Sequence, residues 1–361
     1  MTAQNAYVHI PFCISKCKYC SFVSYSDLNL KKQYINSLII QINSEYLKEN
    51  LKTLYFGGGT PSLLSIEELG SLINLFNIDA NTEVTVEVNP DSVDFNYLSA
   101  LRKLGVNRLS IGVQTFDNGI LNLIGRRHNS EQVLLALNCA KKAGFDNISL
   151  DFIYGLPTQS LPDFEADLKL ACKLDINHIS LYGLKIEESC DYYKNMPKDL
   201  PNSDMQADMY LVAIDVLKRN GFEHYEISNF SKKEFESKHN LNYWNNNTYY
   251  GFGASASGYI DSVRYQCEPD LQKYITSPAL RFFEQKLAQN EILEEAIFLG
   301  LRKITGIDIN EINKQFNINF IQKYSYVLDK YSKYFITTKN GLALTTEGIL
   351  ISNNIFSEFI D

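Results

Sequence analysis

The sequence predicts an α/β fold: a parallel sheet curled into a full or partial (β/α)6 barrel, followed by a small, mostly helical, winged-helix-like module. Three observations carry this expectation. Strand-like and helix-like segments alternate through the first two thirds of the chain, and repeated βα units in series build a parallel sheet. Gly105, Gly144 and Gly221 each stand just past a helical run, where a left-handed cap favours glycine. Beyond about residue 231 the alternation stops and a mostly helical pattern follows.

Taken in order, the first strand falls at 6–10, and helical periodicity follows over 28–48. Strand 51–56 runs into three glycines and is paired with a helix at 65–76. Strands 83–88 and 108–113 lead to helices at 95–104 and 130–143. Strands 148–153 and 179–184 lead to helices at 162–174 and 204–220, which completes six units, and 223–227 is a candidate seventh strand. The stretch 231–277 reads as an irregular extension rich in Asn, Tyr and Gly. From 278 to 361 the pattern gives helices near 294–301, 309–316 and 320–331, a hairpin at 335–344 around Lys339-Asn340-Gly341, and a closing helix at 346–356. The expected division is therefore 1–230, 231–277 and 278–361.

Composition narrows the function classes. With 361 residues, 45% hydrophobic and 21% charged, the chain has ample material for one large core and an appendage. A net charge of −8 argues against a general polyanion binder, so no nucleic-acid partner is expected. No stretch approaches the ~20 apolar residues of a membrane span. Met1 to Ala6 lack the pattern of a secretory signal, and the expected location is the cytoplasm.

Seven cysteines include three crowded into the first twenty residues, a distribution unlike a secreted disulfide framework. Cys139, Cys172, Cys190 and Cys267 lie far apart and read as small core residues; Cys172 has helical spacing with Phe164, Leu168 and Ala171. Cys13, Cys17 and Cys20 form C-x3-C-x2-C. Structural zinc is the alternative reading, but zinc wants four ligands and no second C-x-x-C pair exists; His9 lies inside the first strand. Three thiolates fit a [4Fe–4S] cluster with one iron free of protein ligand. Such an iron can chelate the amino and carboxylate groups of S-adenosylmethionine (SAM), whose sulfonium a low-potential electron cleaves to a carbon radical.

The rest of the chain supplies polar groups at strand ends, where barrel sites assemble. Gly57-Gly58-Gly59-Thr60-Pro61 follows the second strand and is either a plain tight turn or backbone that approaches the methionine part of SAM. Glu87 ends the third strand, Gln114 the fourth, Arg126 follows shortly after, and Asp151 lies in the fifth. Each alone reads as an ordinary satisfied polar group; together they converge.

These residues resemble the radical SAM superfamily, and within it the oxygen-independent coproporphyrinogen III oxidase group. The matching motifs are Tyr7-Val8-His9-Ile10-Pro11-Phe12-Cys13 with its two partner cysteines, Phe56-Gly57-Gly58-Gly59-Thr60-Pro61, Gly112-Val113-Gln114-Thr115-Phe116 and Asp151-Phe152-Ile153-Tyr154-Gly155-Leu156-Pro157. The likeness continues through Leu299-Gly300-Leu301-Arg302 and 344–352. It implies that Tyr7, Gly58, Gly59, Thr60, Glu87, Gln114, Arg126 and Asp151 contact SAM, with Tyr19 as an aromatic neighbour of the cofactor.

Two departures set the chain apart from the oxidases. Phe22 stands where they carry a further cysteine, and the first cluster cysteine is already residue 13, without their N-terminal extension. Both features resemble the haem-chaperone branch of the group, as does His239-Asn240-Leu241-Asn242-Tyr243-Trp244. In that branch the histidine corresponding to His239 is associated with haem. Without the resemblance, His239 reads equally as a loop histidine bonded to its own surroundings, and Tyr243 and Trp244 as core. As a haem ligand it is expected in an irregular segment opening on the barrel mouth.

Three functions follow from the resemblance. The first is a haem chaperone, binding haem and passing it to an acceptor protein, with cluster and SAM gating that step. The second is a coproporphyrinogen oxidase, and the third a radical SAM enzyme with another substrate. Phe22 and the short N-terminus favour the first. The implied partners are haem, a haem acceptor and an electron donor such as a flavodoxin or ferredoxin, with any peripheral membrane contact made through the acceptor.

Overall fold

A computed structural model describes residues 3–338 and 341–360. Its centre is a nine-stranded sheet: β1 (Asn5–Ile10), β2 (Thr53–Gly58), β3 (Glu83–Val88), β4 (Arg108–Gln114), β5 (Asn147–Tyr154), β6 (His178–Gly183), β7 (Glu223–Glu226), β8 (Asn229–Ser231) and β9 (Tyr250–Phe252). The order β7-β8-β6-β5-β4-β3-β2-β1-β9 is parallel from β6 to β9, while β7 and β8 run antiparallel at the far edge. This is the expected partial barrel of six βα units, extended at both ends.

Two-residue periodicity sorts the strand side chains. Val8, Leu54, Val84, Val86, Leu109, Ile111, Leu150 and Ile179 are buried under the surrounding helices. The alternate positions, Tyr7, Tyr55, Glu87, Arg108, Ser110, Asp151 and Ser180, face the barrel interior. Helix starts follow local chemistry. Ser65 with Glu68 and Asn129 with Gln132 form capping boxes, and Asp94, Ser160 and Asn202 each cap a helix by accepting a backbone N–H. Gly105, Gly144 and Gly221 do take positive φ at helix ends.

Three expectations need correction. The segment expected to be irregular is largely regular: it holds a helix at Lys238–Trp244, the strand β9, an antiparallel pair β10 (Ser257–Ile260) and β11 (Val263–Cys267), and a helix at Leu271–Thr276. Its strands are short and β9 depends on β1 for its hydrogen bonds, so no local pattern announces it. Next, 223–227 is one arm of an antiparallel hairpin and not a seventh parallel strand. Finally, β12 (Arg281–Lys286), at the start of the module expected to be mostly helical, is a strand that pairs with β11.

The C-terminal module has helices at Gln289–Gly300 and Ile309–Phe316 and a three-stranded antiparallel sheet, ordered β13 (Ile307–Asp308), β15 (Gly341–Leu344), β14 (Phe335–Thr338). It matches the expected helices with a wing; the hairpin tip at Lys339 and Asn340 lies outside the described residues. Among the described residues no helix is long and apolar enough to cross a membrane.

Candidate functional site

One cavity of about 600 Å³ runs through the barrel, from the cysteine loop at the C-terminal ends of the strands to the Lys238–Trp244 helix at their N-terminal ends. Cys13, Cys17, Cys20, Tyr7, Tyr19, Gly58, Gly59, Thr60, Glu87, Gln114, Arg126, Asp151 and His239 all line it. The thirteen residues singled out from the sequence therefore meet in one space.

The cysteine loop is pinned from both sides. Cys13 N–H donates to Tyr25 O (3.0 Å), Lys18 N–H to Ile124 O (3.1 Å) and Cys20 N–H to Cys17 O (3.1 Å). The three thiols are free and half-buried. Burial, with the neighbouring thiols adding to it, pushes Cys20 up to about 11. Among the described residues no three His, Cys, Asp or Glu side chains converge as ligands of a single ion. Three thiols on one cavity wall match the donor set that an iron–sulfur cluster needs, one thiolate per iron. Ile14 and Phe22 line the rim of the cavity and are exposed, Phe22 at 63%.

Thr60 hangs over the first cysteine: its hydroxyl lies 3.6 Å from Cys13 Sγ and accepts from Asn89 Nδ2 at 3.1 Å. Asn89 in turn accepts from Arg126 Nη2 (2.8 Å), which also donates to Gly112 O (2.7 Å), while Arg126 Nη1 reaches Cys17 Sγ at 3.8 Å. Arg126 Nε is buried without a partner. Gln114 adopts a left-handed φ of +70° where β4 bulges against β5, an arrangement typical of strand ends that re-aim a side chain. At Gly112 a Cβ would crowd the ends of two side chains, at 3.0 Å from Gln114 Nε2 and 3.2 Å from Arg126 Nη2.

Gly58 and Gly59 lie along the cavity, but Gly58 is glycine for a reason the sequence hid. Its φ is +114°, and a Cβ would lie 2.5 Å from the His9 ring rather than in open cavity. His9 is wedged there by Nε2 donating to Val23 O (3.0 Å) and Nδ1 accepting from Tyr7 OH (2.9 Å). Tyr7 thus spends its hydroxyl on His9 and offers the cavity its ring, stacked on Tyr55.

Glu87 accepts from Tyr55 OH (2.8 Å) and from Gly58 N–H (3.1 Å), and burial lifts its carboxyl from 4.5 to about 7. Asp151 accepts from Ser110 Oγ (2.7 Å) and Ser149 Oγ (2.9 Å), and burial raises it as well. The fold prefers Glu87 protonated, so its contribution to stability is present below about pH 4.5 and lost as pH rises through about 7. Thermal melts of wild type without SAM should fall across that window, and the Glu87→Gln variant should lose less, a difference on the order of 3 kcal/mol.

His239 is the site residue whose surroundings differ most from expectation. It lies in the first turn of a helix, 1% exposed, at the barrel floor and not in a loop at the mouth. Thr53 Oγ1 donates to Asn5 Oδ1, so His239 Nδ1–H donates to Thr53 Oγ1 (2.7 Å) and Nε2 accepts from Tyr243 OH (2.7 Å). The Tyr55 ring stacks on the imidazole at 4.9 Å, and burial lowers its pKa to about 3. Glu83 accepts the N–H groups of Lys238 (3.1 Å) and His239 (3.0 Å), and Asn5 Nδ2 donates to Asn242 Oδ1 (2.7 Å). The His-Asn-x-x-Tyr-Trp segment is a polar plug on the N-terminal side of the sheet.

Sequence reading missed Asn89, Tyr55, Ser110 and Arg108. Extending the two-residue parity of each predicted strand inward would have found the last three. Asn89 joins Thr60 to Arg126 only in three dimensions.

The residues at the mouth fit the cofactors: three thiols for a cluster, and partly unsatisfied Arg126 and strand-end carboxylates for an amino acid moiety. Comparisons agree. The sequence pattern of the radical SAM superfamily matches residues 7–171. "Heme chaperone HemW" of Lactococcus lactis is 37% identical over 369 residues, covering 99% of this chain and 97% of that one. The protein of the same name from Bacillus subtilis is 37% identical over 375 residues, covering 99% of both chains. Among solved structures, coproporphyrinogen III oxidase (HemN) from Escherichia coli superposes with a TM-score of 0.87 at 23% identity, covering 99% of this chain and 90% of that one, which establishes the shared fold. Similar to these relatives from end to end, the chain belongs to the HemW family of radical SAM proteins.

Proposed function

We propose that the protein binds haem and hands it to an acceptor protein, with a [4Fe–4S] cluster on Cys13, Cys17 and Cys20 and SAM in the upper cavity. The end-to-end similarity to proteins named heme chaperone carries this reading. When bound, the cluster supplies an iron for chelation and an electron for reductive chemistry on SAM. Thr60 and Arg126 hold the thiol side of that arrangement, and the Asn89 amide keeps the two aligned. Glu87, beside the glycine turn, is placed to accept from an ammonium group, and Asp151 deeper in the barrel from a hydroxyl. Phe22, where the oxidases have a cysteine, supports the chaperone over the second reading, coproporphyrinogen oxidation. The electron donor, a flavodoxin or ferredoxin, would approach the rim that carries Ile14 and Phe22.

Anaerobic purification and cluster reconstitution, followed by haem titration and coproporphyrinogen III turnover on the same sample, test the proposal. One haem per chain and no sustained turnover are expected. Protoporphyrinogen formed over many turnovers, dependent on SAM and reductant, would replace this reading with the oxidase.

A further inference from the structure

The barrel interior holds a cation that the chain does not fully answer. Arg108 opens β4, is 2% exposed, and lines the cavity on the same face as Ser110, Gly112 and Gln114. Its Nε has no hydrogen-bond partner. The interior carboxylates attract it through space, but their oxygens serve other donors. Glu83 takes two backbone N–H groups of the plug, Glu87 takes Tyr55 and Gly58, and Asp151 takes Ser110 and Ser149. The register places Thr85 on one side of Arg108 and Asn147 on the other. Each of these also buries an atom without a partner, Thr85 Oγ1 and Asn147 Oδ1. Unpaired buried polar atoms are costly, and of these three residues it is Arg108 that lines the cavity, where a ligand can supply its partner.

We propose that Arg108 receives a carboxylate of the bound ligand at the floor of the barrel. A guanidinium is a planar fork that matches a carboxylate with two parallel bonds, and the surrounding low dielectric strengthens the pair. Two sources share this chemistry: the carboxylate of SAM and a propionate of haem. The open cluster iron takes the SAM carboxylate in the reading above, which leaves the propionate as the source expected. The inference rests on that reading for its ligands.

The test uses the reconstituted protein, titrated with SAM, with haem, and with the methyl esters of both. In wild type the ester of the carboxylate ligand should bind at least tenfold more weakly than its acid. Arg108→Met should lose at least tenfold affinity for that acid and none for its ester, and Arg108→Lys should retain part. Circular dichroism establishes that the variants fold, and the haem ester comparison needs only wild type. Equal affinities of acids and esters for wild type would overturn the inference, leaving ordered water as the partner of Arg108. So would Arg108→Met binding SAM and haem as wild type does. Absence of haem binding in wild type would defeat the proposed function, and the SAM arm would then decide: a tenfold loss supports the role of Arg108, and unchanged or absent SAM binding removes it.

Discussion

Replacing Cys13, Cys17 or Cys20 with alanine is expected to strip the purified protein of its brown absorbance and of about four iron and four sulfide per chain. A cube anchored by three thiolates has no spare ligand, so each substitution should act almost completely. Cys139→Ala is the control, since that thiol packs against the core within the Ser130–Lys142 helix and does not line the cavity. The three variants should not be identical. Cys17 also accepts a contact from Arg126, so its loss takes a partner from a buried guanidinium that already has an unsatisfied Nε. That variant should lose more thermal stability than Cys20→Ala. Iron and sulfide analysis after anaerobic reconstitution reads the first effect, and a melt reads the second. Zinc in place of iron would refute the cluster.

His239→Ala is expected to have the second largest effect, on stability. The substitution removes the bonds to Thr53 and Tyr243 and the ring stacked on Tyr55, and leaves a cavity beside buried polar groups. A cost of about 2–4 kcal/mol follows, and a fall in Tm of roughly 3–5 °C. A role for His239 as axial haem ligand adds a separate expectation. Nε2 would have to give up the Tyr243 hydroxyl, so Tyr243→Phe should strengthen haem binding or alter its spectrum while His239→Ala weakens it. A folded His239→Ala protein with an unaltered haem titration would assign the residue to the plug alone. Cluster iron and sulfide should not change in either variant, because the plug and the cysteine loop lie at opposite ends of the cavity.

The barrel and its mouth were legible because they rest on local signals. Alternation, glycine caps and the cysteine spacing are written in adjacent residues, and the six parallel strands stand within a few residues of expectation. The floor was not legible for the opposite reason. The Lys238–Trp244 helix is seven residues long and rich in asparagine, and it is held by Ser237 at its own start and by Glu83 from a distant strand. A three-residue β9 exists only because β1 offers it a parallel partner. Gly58 shows the same limit on a smaller scale: the sequence marks a glycine turn, but only the packed structure reveals that the His9 ring fills the space a side chain would need. Arg108 carried a readable parity, yet nothing in sequence says that its neighbours' carboxylates are committed elsewhere.

The plug also sets an order on synthesis. Asn5 reaches Asn242 across 237 residues, Thr53 reaches His239 across 186, and Glu83 reaches the same helix across 156. A chain made from its N-terminus therefore completes every parallel strand from β1 to β6 before the segment that shuts their lower ends has left the ribosome. Until then the edge of β1 lacks β9, and the inward row of Asn5, Thr53, Glu83 and Arg108 stands open to water. The nascent protein thus carries its cysteine loop from the first twenty residues but gains the floor of its barrel only after about two thirds of these residues have emerged.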